Sequence, residues 1–298
     1  VTAEPAAPVS PVGAHVPVAG GLARAGLSYA EEVGAEAVQV FVGNPRGWAA
    51  SPGRPDQDTA LLARIALDGL PVFVHAPYLV NPGTPRDDLR ERSRASLAHA
   101  LARGAAIGAR GVVVHTGSAV GGTREEGLAR TRETLLPLLD ALPPDGPDLL
   151  LEPMAGQGQV LCARVGELVP YLDALDRHPK AGVCLDACHA FAAGHDIGTP
   201  GGMAALLDEL VAAVGPGRLR LVHANDAKDD CGSRRDRHEN IGAGRIGAEP
   251  FATLFRHPAS AGVPIVVETP GPAGPHAADI ATLKRLRDTA PAPAFRRA

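Results

Sequence analysis

His75, His115, Glu152, Asp186, His223 and Glu268 each close a short aliphatic run. All six are side chains that a borderline divalent metal accepts readily. Three more donors stand near them. His189 follows Asp186 in CLDACHAFAAGHD, and Asp236 and His238 lie in the polar, glycine-containing loop after His223. Residues two apart in an extended segment point to the same side, so Asp236 and His238 form a natural pair. This is more than one metal needs, and the set suits three if one carboxylate bridges. It contains oxygen and imidazole donors and no thiolate, which favours zinc or manganese. Carboxylates gathered in a small volume repel one another unless cations lie between them. Two metals close together activate a water and hold a phosphate oxygen, and a third stabilises a leaving alkoxide. That chemistry is phosphodiester hydrolysis, with the carboxylates serving mainly as ligands. Lys228, Arg234, Arg235 and Arg237 place positive charge beside the donors, as an anionic substrate requires.

Such side chains meet only if the elements carrying them converge. Turn-bounded, β-branched runs predict strands at Val12–Val16, Ala37–Val42, Pro71–His75, Gly111–His115, Asp148–Glu152, Gly182–Asp186, Arg218–His223 and Val263–Glu268. Segments of helical period lie between them, among them Leu89–Ala106 and Thr123–Leu142. Eight such units in 298 residues match an α/β fold of one (β/α)8 TIM barrel. A doubly wound sheet is the competing architecture. In the barrel the C-terminal strand ends share one face, which brings the six strand-end donors together. No domain boundary interrupts residues 12–289. Residues 1–11, with Pro5, Pro8 and Pro11, and residues 290–298 are expected to be disordered tails.

Composition narrows the function. The chain is 45% hydrophobic but only 3% aromatic, so its core must be aliphatic. A formal charge of -4 excludes a general electrostatic attraction for nucleic acid, and a polyanion would need local charge or bound metal. Cys162, Cys184, Cys188 and Cys231 follow no disulfide framework and are expected to be free, buried thiols in a reducing cytosol. No basic stretch precedes an apolar run at the N-terminus, and no apolar stretch is long enough to span a bilayer. A cytoplasmic location without membrane association is expected.

The chain resembles the endonuclease IV family of apurinic/apyrimidinic endonucleases. The resemblance rests on GAHVPVAGG at 13–21, FVGNPRGW at 41–48, HAPYLVN at 75–81, VVVHTGS at 112–118, EPMAGQG at 152–158, GVCLDACHAFAAGHD at 182–196, HANDAK from His223, GSRRDRHENIGAGRIG at 232–247 and VVETPG at 266–271. It implies a xylose isomerase-like TIM barrel holding three zinc ions, with manganese possible, and cleavage of duplex DNA 5′ to abasic sites. It also implies removal of blocking groups from 3′ ends, a place in base excision repair and a monomeric enzyme. One metal would sit on His75, His115 and Glu152. A second would sit on Glu152, Asp186, His223 and Glu268, with Glu152 bridging, and a third on His189, Asp236 and His238. Arg46, Tyr78 and Leu79 match family positions that enter the minor groove at the lesion, and Lys228 and Arg237 are further candidate DNA contacts. A missing base lowers the cost of unstacking, so selectivity needs no base readout.

Some positions depart from the family. Pro153 stands where Asn is common, removing a backbone donor beside Glu152. Ala119 stands where His is frequent, which predicts a lost phosphate or DNA contact. Asp229 and Asp230 add negative charge to a loop expected to face DNA, and should turn from the backbone or weaken binding. His15 ends a glycine-flanked strand and is expected to donate to a phosphate or to a ligand carboxylate. His99, His178, His195, His257 and His276 read as surface residues, Trp48 as packing beneath its loop, and Gly242 and Gly244 as turn residues rather than a phosphate loop. The rival function is a metal-dependent sugar isomerase or epimerase of the xylose isomerase-like group. Such an enzyme needs neither His189 nor the Asp236–His238 pair, nor a Tyr-Leu wedge.

Overall fold

The computed structural model describes residues 9–289. Its strands are β1 (Val12–His15), β2 (Val38–Val40), β3 (Val72–His75), β4 (Gly111–His115), β5 (Asp148–Glu152), β6 (Ala181–Asp186), β7 (Leu219–His223), β8 (Asp226–Ala227), β9 (His238–Glu239) and β10 (Ile265–Val267). The helices are α1 (Ser28–Glu32), which continues a π-helical turn at Leu22–Leu27, α2 (Pro55–Asp68), α3 (Asp87–Ala106), α4 (Arg124–Asp140), α5 (Leu168–Ala174), α6 (Ala187–Ala192), α7 (Gly202–Val214) and α8 (Ala273–Asp288). β1 to β7 and β10 close into one parallel barrel, in chain order around the ring. This is the expected TIM barrel rather than an open doubly wound sheet. Each expected strand forms, most trimmed at an end, and Glu268 falls one residue beyond β10. The antiparallel ribbon of β8 and β9 was not expected; it pairs Asp226 with Glu239 and Ala227 with His238.

Local chemistry sets several boundaries. Thr123 and Glu126 form a reciprocal capping box that starts α4. Pro55 opens α2, and Gly69 ends it in the left-handed conformation (φ 68°). A Cβ at Gly13 would lie 1.7 Å from the Ala37 carbonyl oxygen, so β1 can lie against the start of β2 only with glycine there.

The alternation of strand side chains builds the site. Ala37, Phe73, Val113, Leu150, Cys184, Leu221 and Val266 form one buried cluster, separate from the larger core under the helices. These residues fill the barrel interior. Leu150 takes the space left by Gly111 and Gly182, whose added Cβ atoms would each come within 2.7 Å of its methyls. Burying such a leucine is worth about 2 kcal/mol. Two residues further along each strand the chain points inward again. That next layer comprises His15, Gln39, His75, His115, Glu152, Asp186, His223 and Glu268. A hydrophobic floor therefore carries a polar layer at the C-terminal mouth.

Some expectations change. Of the proposed tails, residues 1–8 and 290–298 lie outside the described residues, but Ser10 is buried and its Oγ donates to the Ser260 carbonyl. His195 and His276 are buried, not surface residues. His276 lies between the Tyr29 hydroxyl (2.7 Å) and the Thr269 carbonyl (2.7 Å). Cys162, Cys184 and Cys188 are buried free thiols, whereas Cys231 is free but exposed. No helix among the described residues is long and apolar enough to cross a membrane.

Candidate metal centre

Glu152 ends β5 at the middle of the polar layer and is fully buried. Its Oε2 lies 3.2 Å from His75 Nε2 and 3.5 Å from His115 Nε2. Its Oε1 lies 3.1 Å from His223 Nδ1 and 3.4 Å from His189 Nδ1. His223 Nδ1 also faces Glu268 Oε2 at 3.3 Å and Asp186 Oδ2 at 3.7 Å. His189 is carried by α6, whose N-cap is Asp186; the Asp186 carboxylate accepts from the His189 backbone N–H at 2.9 Å. This cap turns His189 back over the barrel mouth. Asp236 reaches in from the loop before β9 and His238 from the first residue of β9: His189 Nε2 to Asp236 Oδ2 is 3.2 Å, and His238 Nε2 to Asp236 Oδ1 is 3.1 Å.

Potential ligand atoms within 4.8 Å of one another form the groups His75–His115–Glu152, Glu152–Asp186–His223–Glu268 and His189–Asp236–His238. A fourth group joins Cys188 to Asp186 and His238. All nine donors expected from the sequence thus meet in one volume. Outer contacts aim the rings. His75 Nδ1 lies 2.7 Å from the Ala76 carbonyl, His189 Nδ1 3.0 Å from that of Pro153, and His238 Nδ1 3.2 Å from that of Glu268. A carbonyl only accepts, so each Nδ1 carries hydrogen and each Nε2 is the nitrogen turned toward the carboxylates, where a metal would displace its proton. Pro153 lacks an N–H but keeps the carbonyl that His189 uses.

The donor set fits divalent metal. His238 Nε2 is buried and makes no hydrogen bond, although Asp236 is near. Without metal, protons must balance the charges. Burial disfavours the His238 imidazolium, but Asp186, Asp236 and Glu268 outweigh it and push its pKa up to about 9. Burial also opposes charge on His189 and His223, but Asp186 and Asp236 raise His189, and Cys184, Glu268 and Glu152 raise His223. Burial would raise Glu152, but facing imidazoles, His223 foremost, hold it well below the usual carboxylate range. His115, where burial prevails, drops to about 4.

Residues absent from the sequence reading support this layer. Asn225 Nδ2 donates to Asp186 Oδ2 at 2.7 Å, while its Oδ1 accepts from the Glu268 backbone N–H at 2.7 Å. Buried Asp226 accepts from the backbone N–H groups of Ala227, Gly242, Gly244, Ile246 and Gly247. The glycines of the 242–247 loop therefore wrap a carboxylate of the chain itself. An added Cβ at Gly244 would lie 2.5 Å from Asp226 Oδ1. Only the motif HAND, directly after a donor-ending strand, hinted at either residue.

The centre lines a pocket of about 350 Å³ with His15, Phe41, Tyr78 and Thr269. A larger cavity of about 830 Å³ opens near Phe73, Leu219 and Pro264. Its carboxylates are already paired, Asp208 with His257 and Asp148 with Lys180 and Arg220.

The sequence matches the model of the xylose isomerase-like TIM barrel family over residues 27–288. It is 60% identical to a probable endonuclease 4 of Streptomyces coelicolor over 283 residues, 94% of this chain and 96% of that one. A probable endonuclease 4 of Streptomyces avermitilis is 58% identical, covering 94% of this chain and 91% of its own. The chain belongs to the endonuclease IV family. The crystal structure of endonuclease IV from Thermus thermophilus superposes with a TM-score of 0.82 at 35% identity, over 93% of this chain and 99% of that one. As a member of the endonuclease IV family the chain is an enzyme, a hydrolase.

Of the expected DNA contacts, Tyr78 lines the pocket and is exposed, as are Leu79, Arg46 and Lys228. Trp48 packs against the core. Arg237 is exposed but engaged: its Nε donates to Asp229 Oδ2 at 2.6 Å, and Nη2 contacts Oδ1. Asp230 lies 3.3 Å from the Arg245 Nε. The two acidic residues are thus partnered by arginines of the same region. Ala119 is buried with its methyl turned to Gly127, 3.2 Å from where a Cβ there would lie, and it is not among the residues that line the pocket.

Proposed function

We propose that the protein hydrolyses the phosphodiester bond 5′ to abasic sites in duplex DNA, and clears blocked 3′ ends, within base excision repair. The carrying observation is the convergence of His189, Asp236 and His238 on the carboxylate layer, a third ligand group that the sugar isomerase reading does not need. His75, His115 and Glu152 would hold one zinc, Glu152, Asp186, His223 and Glu268 a second, and His189, Asp236 and His238 a third, with manganese an acceptable substitute. Bound divalent metals supply Lewis acidity, which activates water at neutral pH and offsets charge on the phosphate. The chain does the positioning. Glu152 ties two ligand groups together, and α6 fixes the reach of His189 from the Asp186 cap. His15 lies beside that site, its Nδ1 3.3 Å from Glu268 Oε1. Tyr78 and Leu79 would wedge into the gap left by a missing base, with Arg46 and Lys228 on phosphates. Arg237 would join them once released from Asp229.

The test is a duplex carrying one tetrahydrofuran abasic analogue, which cannot undergo β-elimination. Incision 5′ to the analogue, lost on prolonged chelator treatment and restored by zinc or manganese, is expected. No incision by protein shown to carry three metals would overturn the reading and favour a sugar substrate.

A further inference from the structure

Six of the eight positions in the polar layer are candidate ligands; His15 and Gln39 are the others. Gln39, on β2, is fully buried. Its Nε2 donates to Glu268 Oε1 at 2.6 Å and lies 3.0 Å from His15 Nδ1. Its Oε1 lies 2.9 Å from His223 Nε2. The amide has one orientation only. A carboxylate oxygen at 2.6 Å demands a donor, so the NH2 group faces Glu268 and the carbonyl faces His223. His223 must then carry hydrogen on Nε2, and Nδ1, the nitrogen facing Glu152, Asp186 and Glu268, is the one left for a metal. His75, His189 and His238 take the opposite orientation, each anchored through Nδ1 by a backbone carbonyl. His223 alone of these four is anchored by a side chain.

We infer that Gln39 is a positioning residue of the metal centre: one amide selects the His223 nitrogen offered to the metal and aims the Glu268 carboxylate at the same position. The inference rests on the proposed metal-dependent function and concerns one metal position only. Outer partners of metal ligands are generally worth about 10–100-fold in metal affinity. Gln39→Met keeps the length of the side chain and removes both hydrogen bonds. Gln39→Glu keeps an acceptor for His223 and loses the donor to Glu268.

The experiment titrates zinc into chelator-stripped full-length protein against a chromophoric competitor, for wild type and Gln39→Met. Nitrogen-15 spectra of the zinc-loaded proteins read the His223 tautomer. The expected result is a fall of about 10–100-fold in affinity at one zinc position of Gln39→Met, the others unchanged. His223 should keep its Nε2 hydrogen in wild type and in Gln39→Glu. Unchanged affinity at every position in Gln39→Met overturns the inference and leaves the proposed function standing. If Gln39→Met fails to fold, Gln39→Glu decides: a lost Nε2 hydrogen overturns the inference, and a retained one with weakened zinc supports it. Wild-type protein that takes up no zinc removes both readings.

Discussion

Glu152→Gln preserves volume and removes one negative charge at the point where four imidazoles meet. The carboxylate lies within 3.5 Å of ring nitrogens of His75, His115, His189 and His223. An amide keeps one oxygen and turns an NH2 group toward the other pair, so one ligand group loses its donor and both lose its charge. Two lost interactions with charged groups, at about 1.5–3 kcal/mol each, amount to about 3–6 kcal/mol. That corresponds to about 10²–10⁴-fold in kcat/KM. The assay measures zinc per chain after gel filtration alongside incision of the abasic-analogue duplex, with the melting temperature as control for folding. The expected variant is folded, short of metal and slowed by that factor. Wild-type rate with a full metal complement would refute the bridging role of Glu152.

Metal removal should expose a pH dependence. With a folded pKa of about 9 against an ordinary 6.5, His238 contributes stability to stripped protein that is full below about pH 6.5 and lost as pH rises through about 9. The melting temperature of stripped protein should fall across that interval and His238→Gln should flatten the fall; identical profiles would contradict the carboxylate pairing. Zinc competes with the same proton, so its affinity should rise with pH over that range. Asp226→Asn leaves backbone donors of the 242–247 loop unmatched and should cost about 3 kcal/mol in urea unfolding, with faster proteolysis of the loop. An unchanged urea midpoint counts against that support. Asp229→Ala frees Arg237 for phosphate, so DNA binding should tighten and the slope of log K against log salt steepen by about 0.9; an unaltered slope would mean that Arg237 does not reach the backbone.

Much of the site was legible because strands alternate. An aliphatic residue followed two positions later by His, Asp or Glu, as in Phe73–His75, Leu150–Glu152 and Leu221–His223, states that both point inward and that the second sits at the strand end. The same rule applies to Ala37–Gln39, but a lone amide in an apolar strand does not announce a metal centre. Asn225 and Asp226 were equally silent, because their roles depend on backbone groups of Glu268 and of the 242–247 loop. The burial of His195 and His276 is not legible in the sequence, because turn and helix contexts do not tell which face is covered. The Asp229–Arg237 pair follows from the ribbon of β8 and β9, which returns Arg237 beside Asp229.

The sequence by itself determined which side chains point into the barrel and what chemistry they offer, since both depend on residue type and a period of two. Only the tertiary structure decided which donor atoms come within reach of one another and which nitrogen each imidazole turns toward them. Those depend on ring closure, on the register that sets Asp186 beside His223 and His115 beside Glu152, and on hydrogen-bond partners drawn from distant strands.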